Sequence, residues 1–155
     1  MKIVLVTDAS YCPRNFVGGF GYLLVSGHIQ FEGHHRFSGF VNGSSTAELK
    51  AIANSLYICL RKGYIKHGDE VEIQTDSLSC VKLIRGQFTP RKKQVCITMD
   101  FIIYLQHTFS LKLTTKHVKG HNIGIGLETV RNHHVDALAR KGLEKALIKR
   151  EKNSG

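Results

Sequence analysis

The chain has 155 residues, 42% of them hydrophobic, and 22 Lys and Arg against 12 Asp and Glu give it a net charge of +10. That length supports one packed core and not two comfortable domains, and no apolar run approaches the ~18 residues that span a bilayer, so a membrane role has no support. A basic surplus of this size points to a polyanionic partner, usually nucleic acid, rather than to a merely solvated surface. Cys12, Cys59, Cys80 and Cys96 form no C-x-x-C pair and Met1 leads straight into a strand-like run, so reduced thiols and a cytoplasmic location are expected.

Residues 2–8 (KIVLVTD) form a β-branched, apolar run suited to a central strand covered on both faces, with Asp8 at its end. Gly18 and Gly19 open a second run over 20–25, and Ser26-Gly27 separate it from a third over 28–37, as in an antiparallel meander. Asn42-Gly43-Ser44-Ser45 reads as a loop with N-cap character before a helix over about 46–62 that stops before Gly63. On that helix Glu48, Ile52, Ser55 and Cys59 share a face, which puts a carboxylate either at the edge of the apolar stripe or buried beside a cation.

A fourth strand over 70–75 again ends in an aspartate, Asp76. Strand C-termini are where open α/β sheets place their ligand sites. Residues 77–85 read as a short helix, 86–93 (GQFTPRKK) as a basic loop, 94–108 as a helix and 111–116 as a fifth strand. HVKGHNIGIG follows as a glycine-rich, mobile loop carrying His117 and His121. From Thr129 a long helix can turn Val135, Leu138, Ala139 and Gly142 to the sheet, with Asn132 and Asp136 four residues apart at one edge. The basic stretch from Lys145 to Lys152 reads as a fraying helix terminus, followed by a short flexible tail at 153–155. The fold class is α/β: a single domain over 1–152 with a five-stranded mixed sheet flanked by helices, in the order βββαβαβα.

Four acids stand in recognisable contexts: Asp8 in VTDAS, Glu48 in STAEL, Asp76 in QTDS and Asp136 in NHHVDALAR. Brought together they would repel one another unless hard cations sat between them, and Mg²⁺, with Mn²⁺ as a substitute, is the natural filling. A metal-dependent nuclease is the expected activity, because two cations ~3.5–4 Å apart can activate water and relieve charge on a leaving oxygen. Asp8 and Asp76 could instead be strand-end turn formers and the other two surface helix acids, but the joint context argues otherwise. His117 with His121, or His133 with His134, lacks the spacing of a structural zinc module. GHNIGIG lacks the G-K-[ST] ending of a phosphate loop.

Taken in order, T-D-A-S with G-G-F-G-Y downstream, G-S-S-T-A-E-L, T-D-S, K-G-H and N-x-x-x-D-A-L-A-R make the chain resemble type 1 ribonuclease H over nearly its whole length. G-S-S-T-A-E-L and D-A-L-A-R-K are especially similar to the ribonuclease H domains of retroviral reverse transcriptases. The resemblance implies a ribonuclease H-like fold and a free-standing, monomeric endonuclease that cuts the RNA strand of an RNA·DNA hybrid, leaving 5′-phosphate and 3′-hydroxyl ends. It implies two Mg²⁺ ions: Asp8 bridging both, Asp136 joining it on the ion that activates water, and Glu48 with Asp76 on the ion at the leaving group. It also implies that His121 shuttles protons or helps product leave, and that Asn132 lies near the active site and the substrate backbone.

Substrate handling departs from the family pattern. Ser44 and Ser45 stand where many cellular members carry paired asparagines that read RNA 2′-hydroxyls, and serine reaches less far. The first loop, SYCPRN, lacks the usual G-N-P-G form and leaves Arg14 and Asn15 as backbone contacts. Arg91, Lys92 and Lys93 replace a longer basic protrusion, so weaker or more salt-sensitive hybrid binding is expected. Two other readings keep the fold: a DNA resolvase or transposase core, and a catalytically silent nucleic-acid-binding module. The K-G-H loop and the N-x-x-x-D helix argue against the first, and retention of all four acids argues against the second.

Overall fold

In the computed structural model, which describes residues 2–119 and 126–154, the opening run forms β1 (Lys2–Cys12), followed by β2 (Val17–Ser26) and β3 (Ile29–Arg36). Then come α1 (Ser44–Arg61), β4 (Glu70–Thr75), α2 (Leu78–Ile84), α3 (Lys93–Thr108), β5 (Lys112–His117) and α4 (Leu127–Ser154). The strands lie in one five-stranded sheet in the order β3-β2-β1-β4-β5. β1 pairs antiparallel with β2 and parallel with β4, β2 pairs antiparallel with β3, and β4 pairs parallel with β5. The helical step between β4 and β5 consists of two helices, α2 and α3, and no helix among the described residues is long and apolar enough to cross a membrane.

Three of the boundaries that differ from the sequence reading bear on the site or the chain end. Asp8 lies inside β1 rather than at its end, because the β4 partner stops at Gln74 opposite Val6 while β2 stays paired through Cys12 and Val17. Asp8 is therefore past the end of the parallel half of the sheet and still within the antiparallel half. α1 begins at Ser44, with Gly43 as N-cap and no side-chain cap, so both serines belong to the first helical turn. α4 runs through Ser154, which makes the tail assigned to 153–155 helical as far as that residue.

The two faces of the sheet are packed differently. Alternation along β2 sends Phe20, Tyr22 and Leu24 to the main core, where they meet Leu5, Ile73 and the apolar stripe of α1 (Leu49, Ile52, Leu56) with Ile102 and Leu105 of α3 behind it. Gly19, Gly21, Leu23 and Val25 point the other way, toward α4, where Val6, Leu23 and Val25 surround Val135. The glycines let the helix backbone come against the strand. A Cβ on Gly21 would stand 2.5 Å from Leu138 Cβ and 2.8 Å from Ala139 N, and one on Gly19 would overlap the backbone of Gly142.

Loops are latched by few, specific bonds. Gln94 at the start of α3 donates to Phe40 O at 3.1 Å and accepts from Asn42 N at 3.1 Å, and Tyr11 Oη donates to Val41 O at 2.7 Å. Together they fix the approach to α1. Arg85, at the end of α2, donates to Thr115 Oγ1 at 2.9 Å and Thr115 O at 2.8 Å, docking α2 on β5.

Gly19→Ala should therefore force α4 away from β2. Overpacking of this kind typically removes about 1–3 kcal/mol of stability, which in a domain of this size lowers Tm by about 2–4 °C per kcal/mol. Thermal unfolding of Gly19→Ala beside Gly126→Ala, where an added Cβ meets nothing within 4 Å and the backbone is not in the left-handed region, checks this. The first should lose clearly more than the second.

Candidate active site

Three of the four acids converge from three elements. Asp8 comes from β1, Glu48 from the start of α1 and Asp76 from the residue after β4, and one oxygen of each lies within 4.8 Å of the others. Asp76 is held at a constrained point: Thr75 O accepts from Val118 N at 2.9 Å, and the Ser77 hydroxyl caps α2 by accepting from Cys80 N at 3.3 Å. His117 Nε2 lies 3.1 Å from Asp76 O, joining the end of β5 to the same turn.

The chemistry of this group is that of an oxygen-donor cage. Asp8 is 3% exposed and its Oδ1 accepts from Ala9 N at 2.9 Å. Glu48 Oε2 is buried and has no hydrogen-bond partner. A buried acceptor without a donor, facing two more carboxylates, suits a divalent cation with hard oxygen ligands. Burial first, then the neighbouring Asp76 and Asp136 charges, pushes the Asp8 carboxyl up to about 8, with a hydrogen bond to Glu48 opposing. Burial and the charges of Asp8 and Asp76 likewise hold Glu48 well above the usual carboxylate range. Without a cation the pocket keeps protons.

Asp136 stands beside Asp8 near enough to raise its affinity for a proton, but it is outside the tight trio. Its Oδ2 is paired with Arg140 Nη2 at 3.1 Å, one helical turn on. Asn132, one turn earlier, is 3% exposed and its Oδ1 is buried without a partner. Both owe their position to the close contact of α4 with β2. The sequence reading missed Arg140, although the Asp-x-x-x-Arg spacing on a helix was a usable signal. It also missed the His117 contact, which depends on a strand pairing that local sequence does not reveal.

Cys80 lies close to the trio, with Sγ 3.9 Å from Ser45 O, and burial pushes its thiol up to about 12. It is a neutral packing group rather than a thiolate ligand. His134, of the pair His133 and His134, sits 3.0 Å from Glu32 Oε1. Among the described residues, the trio is the one group of three or more ligand side chains close enough to share an ion.

The expected substrate contacts divide. Ser44 and Ser45 are exposed in the first turn of α1. Ser45, Ser79, Phe88, Arg91 and Lys92 line an open groove of about 500 Å³, and Lys82 Nζ sits 5.0 Å over the Phe88 ring on the same segment. Lys93 is the first residue of α3 and Lys92 its N-cap, so the basic loop is shorter by one residue than the sequence suggested. Asn15, with Arg14, lies in the turn between β1 and β2, beyond the Cys12–Val17 pair and four register steps past Asp8. The structure does not bring it to the trio. His121 and the glycine-rich segment at 120–125 lie outside the described residues.

A family model described as RNase H matches residues 1–144. No curated protein matches the chain in sequence. Among solved structures, RNase H1 from the halophilic archaeon Halobacterium salinarum NRC-1 aligns with a TM-score of 0.73 at 20% identity, over 94% of this chain and 99% of that one. LC11-RNase H1, isolated from compost and solved in complex with an RNA/DNA hybrid, aligns with a TM-score of 0.73 at 17% identity, over 94% and 99%. The protease-reverse transcriptase of Prototype Foamy Virus aligns with a TM-score of 0.63 at 18% identity, over 90% of this chain and 20% of that one. At these identities the likeness is one of fold.

The raised carboxyls predict an inverted pH profile of stability. Asp8 has a pKa of about 8 when folded against an ordinary value of 3.8. Across that window the folded, metal-free chain holds a proton that the unfolded chain has released, so stability falls as pH rises from about 4 to about 8. Thermal unfolding in EDTA across this range should show Tm declining, with a shallower decline for Asp8→Asn. Mg²⁺ or Mn²⁺ should raise Tm most at the alkaline end. A flat profile and no response to either ion would remove the cage.

Proposed function

This chain belongs to the RNase H family, and on that premise we propose that it hydrolyses the RNA strand of RNA·DNA hybrids in a divalent-metal-dependent reaction, leaving 5′-phosphate and 3′-hydroxyl ends. The observation that carries the reading is the convergence of Asp8, Glu48 and Asp76 within 4.8 Å, with Glu48 Oε2 buried and unpartnered. A protein of similar fold, LC11-RNase H1, has been solved with an RNA/DNA hybrid, which supports the same class of substrate here.

A pair of Mg²⁺ ions, with Mn²⁺ as substitute, would supply a deprotonated water for in-line attack and charge relief on the leaving oxygen. Asp8, which interacts with each of the other three acids, would be the ligand that both ions share. Asp136 flanks it on the α4 side, while Glu48 and Asp76 close the other side. Arg140 pairs with Oδ2 of Asp136, so Oδ1 would be the oxygen that Asp136 offers to an ion. Asn132 borders the same edge of the site, and His121 is assigned to proton shuttling or product release.

Substrate positioning is assigned to the groove beside the trio. Ser44 and Ser45 can each donate and accept one hydrogen bond at 2′-hydroxyls, while Arg91, Lys92 and Lys93 supply charge to a phosphate backbone. Asn15 is kept as a contact only for a duplex long enough to reach the β1–β2 turn. We assign the activity to a monomer and place it in the cytoplasm, the location being the part that four free cysteines support.

The deciding experiment presents one labelled strand as RNA·DNA hybrid, double-stranded RNA, double-stranded DNA and single strands, with Mg²⁺ or Mn²⁺. Wild type should cut only the RNA of the hybrid, and Asp76→Asn should slow it by at least ~10²-fold, the scale on which loss of one electrostatic stabiliser is felt. Cleavage of DNA would indicate a resolvase-like enzyme; no cleavage with either ion would indicate a binding module. In a salt titration of hybrid binding, Arg91→Ala/Lys92→Ala/Lys93→Ala should flatten the dependence of log K on log salt by about 1 for each phosphate that the variant no longer neutralises. An unchanged slope would take the groove out of the binding surface.

A further inference from the structure

The C-terminal half of α4 carries charge that the carboxylate site does not use. Between Arg140 and Lys152 stand six basic residues and two acids, a surplus of four out of the chain's net +10. Lys141, Lys145, Lys149 and Lys152 recur at i, i+4, i+8 and i+11, so they share one exposed helix face. Glu144, three residues on from Lys141, borders the face at that end, while Lys145, Lys149 and Lys152 have no acid three or four residues away. Like charges at such intervals repel and weaken a helix, so a row of four is a feature that calls for an anionic counterpart.

The row lies against the edge of the sheet formed by β3. Lys145 Nζ donates to His34 O at 3.2 Å. Arg36 and Ser38 join Lys145, Lys149 and Lys152 around an open cavity of about 590 Å³. A second, of about 260 Å³, shares Arg36 and Lys149 and adds Arg150. Among the described residues, neither is lined by a carboxylate. Burial first, and then the charge of Lys145, pushes His34 and His35 below the usual imidazole range.

The row also has a defined relation to the site. Along α4, Lys145 is nine residues and Lys152 sixteen residues beyond Asp136, or about 14 and 24 Å at about 1.5 Å per residue. A distance of about 24 Å corresponds to about seven base-pair steps of about 3.4 Å each. A continuous basic face beginning near the carboxylates suits a linear polyanion that is already held there.

We propose that the face formed by Lys141, Lys145, Lys149 and Lys152, with Arg36, is a second contact for the phosphodiester backbone of a bound duplex, several base pairs away from the bond that is cut. The inference rests on the nucleic-acid reading of the carboxylate site but not on which strand is cleaved. An acidic protein segment would meet the same charge, but duplex length would not govern its binding.

The test compares Lys149→Glu/Lys152→Glu with Lys66→Glu/Lys112→Glu, which changes charge equally at the opposite end of the sheet, where β4 and β5 begin. Binding is measured in EDTA against salt, with a hairpin-closed hybrid of about 6 base pairs and open hybrid and double-stranded DNA of about 20, lengths on either side of the seven-step reach. For both long duplexes the Lys149/Lys152 variant should lower the salt slope by about 2, about 1 per neutralised phosphate. The short hybrid and the control variant should change little. An unchanged slope on long duplexes, an equal loss on the short one, or the same loss in the control overturns the proposal. Lys149→Gln/Lys152→Gln repeats the measurement without introducing acids. Because binding is read without cleavage, a changed slope on long DNA together with no cutting of hybrid would overturn the proposed activity and leave this contact standing.

Discussion

Backbone-to-backbone contact between α4 and β2 is the constraint on which both charged regions depend. Gly19 and Gly21 present no side chains to the helix, and Gly142 presents none to the strand, where His35 O and Phe20 N lie directly beneath it. An ordinary helix-on-sheet layer is kept apart by its side chains. Here the separation is set by main-chain atoms across one stretch, which leaves little freedom in the height or tilt of α4. Asp136 and Asn132 lie about two and about three turns ahead of Gly142, and Asp136 is brought to Asp8 as a result. Lys145 and Lys149, on the other side of it, are brought to the β3 edge. A single packing decision thus places an acidic and a basic site on the same helix.

The opposition of these two sites is a physical arrangement and more than a list of charges. A chain of net +10 gathers several of its few acids where burial disfavours their ionisation. Without a cation they hold protons, and the positive surface dominates the long-range field. A polyanion is attracted by that field over distances of about a Debye length. Near the trio the protonated carboxyls offer the polyanion little repulsion, and a cation would let them ionise without restoring it. Binding can be driven by the lysines and arginines, while chemistry waits on the pocket.

Much of this was legible in the sequence where the signal is local. β4 was read with the boundaries it has, since its alternation ends cleanly at Asp76, and α2 was bounded by Ser77 and Arg85, which turn out to be its caps. The sheet-facing side of α4 followed from the spacing of Val135, Leu138, Ala139 and Gly142. What was not legible depended on partners distant in the chain. Asp8 could not be placed inside β1 without knowing that β2 outlasts β4 as its neighbour. Gly19 and Gly142 are far apart in sequence, and neither announces that it will meet the other. The lysine row was visible but looked like a fraying terminus, because only the β3 edge beside it gives it a second wall.

The groove at the start of α1 shows how a local departure can be absorbed by its surroundings. Serines in the first helical turn keep the approach to Glu48 open and bring little reach of their own. The neighbouring segment supplies what they lack: a Cβ on Gly43 would stand 3.7 Å from Lys92 Nζ, and Phe88, under Lys82, gives the wall an aromatic surface. On the proposed activity, recognition at this end would rest more on charge and shape than on long polar side chains. Charge acts on any phosphate backbone, whichever sugar it carries. On the proposed activity, discrimination of RNA from DNA would fall to the few hydroxyl-sized contacts close to the trio, and total affinity to the basic surfaces on either side. The two can vary independently, since the groove is built on α1 and α3 and the lysine row on α4 and β3.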